Sequence, residues 1–247
     1  MFKKYWKFFV IFWSVVLVGI IGVFVFFWLI SAGKLGFMPT FEELENPNNR
    51  FASEVYFADG PIMNRYFEKE NRKYIEYREI PQSVIDALIA TEDVRFYDHS
   101  GVDVRGLFRV AKGLLTANTS AGGGSTISQQ LAKMLFPRES DLNVFELAIR
   151  KFREWVIAVR LEKSYTKEEI LTMYLNKYDF LNLAVGISSA ADIYFQVPLD
   201  SLKVEQAAML IGMAKNSSYY NPVRRPELTL NRRNVVLSQM YKYDKIE

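Results

Sequence analysis

Between Phe8 and Ile30 the chain reads FFVIFWSVVLVGIIGVFVFFWLI, 23 residues with no charge and one hydroxyl, Ser14. As a helix this run is about 35 Å long, enough to cross a hydrocarbon core about 30 Å thick with some tilt. A cleaved signal peptide has a shorter apolar stretch, about 7–15 residues, ending at a small-x-small site. Ser31-Ala32-Gly33 is a poor version of such a site, so the run reads as a membrane anchor. Lys3, Lys4 and Lys7 precede it, and Lys34 is the only charge in the seven residues that follow. The positive-inside rule then puts residues 1–7 in the cytosol as a short tail and the rest outside the cytoplasmic membrane, as a single-pass protein. Whatever the chain acts on is expected there, within reach of lipid.

Composition narrows the chemistry. Apart from Lys3, Lys4 and Lys7, 28 basic residues balance 28 acidic ones, which argues against a nucleic-acid partner. There is no cysteine, so disulfides, thiolate metal sites and a cysteine nucleophile are excluded. A single histidine, His99, cannot build a histidine-rich metal site. With 247 residues, half of them apolar, the chain can bury one substantial core.

Residues 31–50 are polar and turn-rich and read as a stalk. Residues 51–80 read as a β-hairpin and linker, because Phe51, Ser53, Val55 and Phe57 alternate with Ala52, Glu54 and Tyr56 before Asp59-Gly60. Residues 81–243 are helical in pattern. Apolar stripes run through Ile85, Leu88, Ile89 and Phe96, through Ile127, Leu131, Met134 and Leu135, and through Ile170, Leu171, Tyr174 and Leu175. Val102 to Ala117 is a basic amphipathic segment, suited to a membrane interface or to an ordinary core helix.

Four segments could carry chemistry. In Ala90 to Gly101 the helical spacing puts Glu92 on the apolar stripe, where lost hydration favours acid–base work, although a rim carboxylate paired with Arg95 fits equally. In Gly122 to Lys133 a glycine-rich loop feeds a helix that a Thr126–Gln129 capping box would start, a ready anion site. Thr126, Gln129, Gln130 and Lys133 then share a polar face, for a sugar or phosphate or simply for solvent. In Arg150-Lys-Phe-Arg-Glu154 the acid lies i+4 and i+3 from two cations, a surface ion pair or a carboxylate set among phosphate-binding cations. Thr166 and Glu169 form a further capping box. Ser164-Tyr-Thr-Lys167 and Ser31-Ala-Gly-Lys34 match Ser-x-x-Lys, but no Ser-Asp-Asn or Lys-Thr-Gly element accompanies them.

Taken in order, these segments resemble the family 51 peptidoglycan glycosyltransferases, the glycosyltransferase domain of class A penicillin-binding proteins. Glu92-Asp93-x-x-Phe96-x-x-His99-x-Gly101 is similar to the family's first motif and Gly124-Ser-Thr-Ile-x-Gln-Gln-Leu-x-Lys133 to its second. Arg150-Lys-x-x-Glu154 is similar to the third, and Lys167-x-x-Ile-Leu-x-x-Tyr-Leu-Asn176 to the fourth. Gly186 to Phe195, Glu205 to Pro222 and Arg232-Arg-Asn234 resemble the remaining blocks. Met134, Phe180-Leu181 and Asn216-Ser217-Ser218 depart from the family pattern.

The resemblance implies a mostly α, lysozyme-like domain with a small β-hairpin on its N-terminal side and one transmembrane helix. It implies polymerisation of lipid II into a growing glycan chain, with Glu92 as general base and Glu154 as the second catalytic carboxylate. Lys133, Arg150 and Lys151 would stabilise the diphosphate, with Glu154 orienting them or holding a divalent cation, Mg or Mn; no organic cofactor is implied. Ser125, Thr126, Gln129 and Gln130 would contact the donor. Asp93, Phe96, His99, Tyr174 and Asn176 complete the expected substrate-binding set. Membrane lipid and other cell-wall synthesis proteins are the expected partners. No transpeptidase follows Arg232-Arg-Asn234, so a truncated bifunctional enzyme is expected, with a monofunctional one as the alternative. A membrane-anchored lysozyme-like hydrolase and a non-catalytic cell-wall scaffold remain open as other functions.

Overall fold

The structure, a computed structural model, describes residues 2–40, 43, 53–56, 62–66, 71–116, 123–135 and 142–247. Helix α1 (Phe2–Ser31) is the apolar run with its basic preface. It is long and apolar enough to cross a membrane; from Tyr5 onward most of its side chains are exposed, Phe26, Phe27 and Leu29 are half-buried, and Ile30 is fully buried. Two short antiparallel strands follow, β1 (Ser53–Tyr56) and β2 (Ile62–Tyr66), with a register shift at Val55/Tyr56. The expected turn at Asp59-Gly60 and residues 41–42 and 44–50 of the stalk lie outside the described residues.

The body is helical. Strand β3 (Asn71–Arg72) leads into α2 (Gln82–Glu92), α3 (Val104–Leu115), α4 (Ile127–Leu135), α5 (Val144–Ser164) and α6 (Lys167–Lys177). Strand β4 (Ala184–Val185), α7 (Ile187–Phe195), α8 (Val204–Met213) and α9 (Pro226–Lys242) complete it. The predicted stripes line the core: Ile85, Leu88, Ile89, Phe96, Ile127, Leu131, Ile170, Leu171, Tyr174 and Leu175 are buried, and Met134 and Leu135 pack against it half-buried. Helix α6 starts on the predicted capping box, Thr166 Oγ1 accepting from Glu169 N at 3.2 Å and Glu169 Oε2 accepting from Thr166 N at 2.7 Å.

Two groups of helices pack around this core. Helices α2, α8 and α9 contact one another on one side, and α4, α5 and α6 do so on the other. The strand β3 segment is held to the second group, because the Asn176 side chain both donates to the Ile75 carbonyl at 2.8 Å and accepts from its amide at 3.0 Å.

The anchor docks on α5. Phe26 and Phe27 meet Phe152 edge-on, with ring centroids 5.3 and 5.7 Å apart. Arg160 donates to the carbonyls of Ser31 (2.8 Å) and Pro39 (3.1 Å) and to Ser31 Oγ (2.8 Å). A guanidinium with several N–H groups in a fixed plane is suited to gathering backbone oxygens at such a bend.

Candidate active site

Glu92 is the last residue of α2, so its carboxylate stands at the negative end of that helix's dipole and needs a countercharge. Arg232 of α9 supplies it, Nη2 to Oε1 at 3.2 Å, with both side chains largely buried. The other oxygen, Oε2, accepts from Gln130 Nε2 of α4 at 3.0 Å. Gln130 Oε1 in turn accepts from the Tyr174 hydroxyl at 3.0 Å. Burial, and secondarily the Glu92 charge, push the Tyr174 phenol well above its ordinary range, so Tyr174 stays protonated and donating. The carboxylate is thereby gripped from both helix groups at the floor of a cleft of about 520 Å³ that Ser125, Gln130, Arg232 and Lys242 help to line.

The residues after Glu92 brace it. Asp93 is buried; its Oδ2 accepts from the Ile127 amide at 3.0 Å, at the start of α4, and His99 Nε2 lies 3.0 Å away. Gly101 closes this loop at φ +92°, with the α5 backbone so near that a Cβ would come within 2.7 Å of Ala158. A side chain there is excluded both by conformation and by space. Its carbonyl accepts from Thr126 Oγ1 at 2.7 Å and from Gln129 Nε2 at 3.3 Å. Lys167 Nζ donates to the His99 carbonyl at 2.7 Å, pairs with Glu162 at 2.6 Å, and sits 4.3 Å from the Phe96 ring centroid.

These contacts redistribute the predicted residues. The polar face of α4 divides: Gln130 turns to the cleft, whereas Thr126 and Gln129 are 1% exposed and turn inward to Gly101. The Thr126–Gln129 capping box is therefore half made. Thr126 Oγ1 accepts from Gln129 N at 3.2 Å, but the Gln129 side chain is occupied by the 93–101 loop packed over it. Phe96 is in the core, and Asn176 serves the Ile75 backbone rather than the cleft. His99 and Asp93 hold each other, and Tyr174 reaches the site only through Gln130.

A second cluster lies at Ser125. Lys151 Nζ donates to Ser125 Oγ at 3.0 Å and pairs with Glu154 Oε2 at 2.7 Å, as the i+3 spacing predicts. Arg150 is half-buried beside Lys151 on α5, and Lys133 is exposed on α4. Glu154 is a buried lone carboxylate already matched by an ammonium. Among the described residues no group of three or more His, Asp or Glu side chains could hold an ion. The donor set does not fit a metal held by the protein alone, and Lys151 is the countercharge at that position.

Sequence reasoning assigned no role to Arg232, nor to Arg109, Lys215 and Lys242, which also line the cleft. Arg232 was visible only as part of the Arg232-Arg-Asn234 block. Nothing local signals its pairing with a carboxylate 140 positions earlier.

Residues 59–241 match the transglycosylase family, and the chain belongs to it as an enzyme of that class. Among individual relatives, it is 38% identical over 203 residues to penicillin-binding protein 1A of Escherichia coli, covering 82% of this chain and 23% of that protein. It is 37% identical over 210 residues to penicillin-binding protein 1A of Pseudomonas aeruginosa, covering 85% and 25%. The chain thus spans about a quarter of the length of these curated relatives. A solved penicillin-binding protein 1A from Haemophilus influenzae overlaps 81% of this chain and 19% of its own, at 22% identity and a TM-score of 0.43.

Proposed function

We propose that this domain is a peptidoglycan glycosyltransferase that polymerises lipid II, with Glu92 as the general base. The observation that carries the reading is the Glu92 carboxylate, held by Gln130 and Arg232 on the floor of the cleft. It accepts the proton of the acceptor GlcNAc 4-hydroxyl as that oxygen attacks C1 of the donor MurNAc. The anomeric centre inverts and undecaprenyl diphosphate departs. Lys151, with Arg150 and Lys133, offsets the charge that develops on the diphosphate, and Glu154 holds Lys151 in place. Ser125 stands between this cluster and the cleft.

The two-carboxylate routes to glycan hydrolysis, retaining and inverting, need a second working carboxylate beside Glu92. Among the described residues the other acid lining the cleft is Asp93, which is committed to His99 and the Ile127 amide. The basic preface of α1 supports an N-terminus in the cytosol and a catalytic domain outside it, at the membrane surface. Exposed Val104 and Phe108 on α3 and Val144 and Phe145 on α5 supply apolar surface for lipid contact.

The test is polymerisation of labelled lipid II by the detergent-solubilised chain beside Glu92→Gln. Loss of a general base lowers the rate by about 10²–10⁴-fold. Equal polymerisation by the two proteins, or cleavage of preformed glycan, would refute the assignment.

A further inference from the structure

Lys167, the lysine of the Ser164-Tyr-Thr-Lys167 segment, does not line the cleft; its charge is turned into the protein. Its Nζ lies 2.6 and 2.8 Å from the two oxygens of Glu162, whose side chain is 4% exposed. The same ammonium donates to the His99 carbonyl, in the loop that follows Glu92. Glu162 Oε1 also accepts from Ser128 Oγ of α4 at 2.5 Å, and Ser128 is fully buried. One lysine and one carboxylate thereby join four pieces, the 93–101 loop, α4, α5 and α6. A buried ion pair adds little stability over apolar side chains of its size, but its charge-assisted bonds have a direction that apolar packing lacks.

That direction bears on the base. Ser128 and Gln130 stand two residues apart on α4, about 200° around the helix axis, so a grip on Ser128 inside sets where Gln130 points outside. Side chains reach about 5–6 Å from the axis, so a turn of about 10° moves the Gln130 amide by about 1 Å. A shift of that size along the bond breaks its 3.0 Å contact with Glu92. The other polar contacts of α4 do not supply this constraint. Thr126, Gln129 and the Ile127 amide all bond to the 93–101 loop, so they tie α4 to a segment that itself needs fixing. Glu92 is fixed independently, by α2 and by Arg232 of α9. The Lys167–Glu162 pair attaches loop and α4 together to α5 and α6, and so sets Gln130 against Glu92.

We infer that Lys167, Glu162 and Ser128 are positioning residues for the transfer, acting through α4 to keep the Gln130 amide on the general base. This rests on the reading of Glu92 as that base. None of the three lines the cleft, so they govern the rate of transfer and not the binding of substrate.

The experiment measures lipid II polymerisation by the full chain, as kcat and KM per folded molecule, in two variants. Lys167→Met/Glu162→Leu replaces the ion pair by apolar side chains, an exchange that buried pairs commonly tolerate. Ser128→Ala removes only the bond to α4 and leaves the ion pair in place. The expected fall in kcat is about five- to tenfold for the first and about threefold for the second, with KM within about twofold of wild type, the signature of a loss confined to the transition state. In a Gln130→Ala background neither change lowers kcat further, because the contact they serve is already absent. An unchanged kcat in Ser128→Ala overturns the positioning role. So does a further fall in the Gln130→Ala background, which would make the network a matter of general stability, and so does a raised KM with kcat retained. If the apolar pair does not fold, Ser128→Ala decides alone. Glu92→Gln, run alongside, separates the two readings. Full activity there overturns the general base and the positioning role with it, whereas its loss beside an unchanged Ser128→Ala overturns the positioning role alone.

Discussion

The Glu92 carboxylate sits at an unfavourable place, the carbonyl end of a helix, and Gln130 and Arg232 are the partners that stabilise it there. Gln130→Ala removes the donor to Oε2 and the link to Tyr174, and is expected to lower kcat about tenfold, with KM little changed, in single-turnover assays. Tyr174→Phe leaves Gln130 on Glu92 but removes its second tether. At pH 7 it costs about 1 kcal/mol, read from thermal melts. Because burial raises the folded-state pKa of this phenol, its stabilisation is present below pH 10 and is lost as pH rises from there toward the folded value. The deficit of Tyr174→Phe against wild type therefore narrows on the alkaline side. Glu92, Gln130 and the Lys151–Glu154 pair were legible in the sequence because each falls within a short motif at helical spacing. Thr126 and Gln129 were placed on the substrate face because periodicity defines a face without saying what covers it. The covering loop is visible only once Gly101 is seen against Ala158.

Helix α5 illustrates how much one element can combine. Ile157, Ala158 and Leu161 fill the core, Phe152 and Arg160 receive α1, and Val144, Phe145 and Leu147 are exposed in its first turns. Residues 26–27 of α1 meet residue 152 and residue 31 meets residue 160, so the two helices run in the same direction. With the N-terminus in the cytosol, as proposed above, the start of α5, about 12 Å from Phe152 at helical rise, would lie on the lipid side. The chain has no cysteine, so single labels can be introduced without removing native thiols. A fluorophore at Phe145→Cys is expected to be quenched by doxyl-labelled lipid in vesicles, whereas one at Tyr241→Cys on α9 is not. Equal quenching at both would contradict this direction. The helices themselves were readable from stripes and caps; what each outer face touches was not, since exposed apolar turns look alike whether lipid or protein covers them.

At the scale of the whole molecule, anchor and body form one object through the Phe26–Phe27–Phe152 contact and the Arg160 contacts to Ser31 and Pro39. Arg160→Ala/Phe152→Ala is expected to fold, because both residues lie outside the core. It should also broaden the distance distribution between spin labels on α1 and α9, measured by pulsed electron resonance in nanodiscs. An unbroadened distribution would show that other contacts suffice. The anchor was legible from hydropathy alone, but not its seat on α5, which depends on side chains more than a hundred positions apart. In the membrane-anchored glycosyltransferase proposed above, a joint of this kind would hold the cleft at a fixed height and bearing over the bilayer. A strand made there would leave along one heading while its lipid end stayed behind, so a thicker or thinner membrane would raise or lower the outlet without turning it.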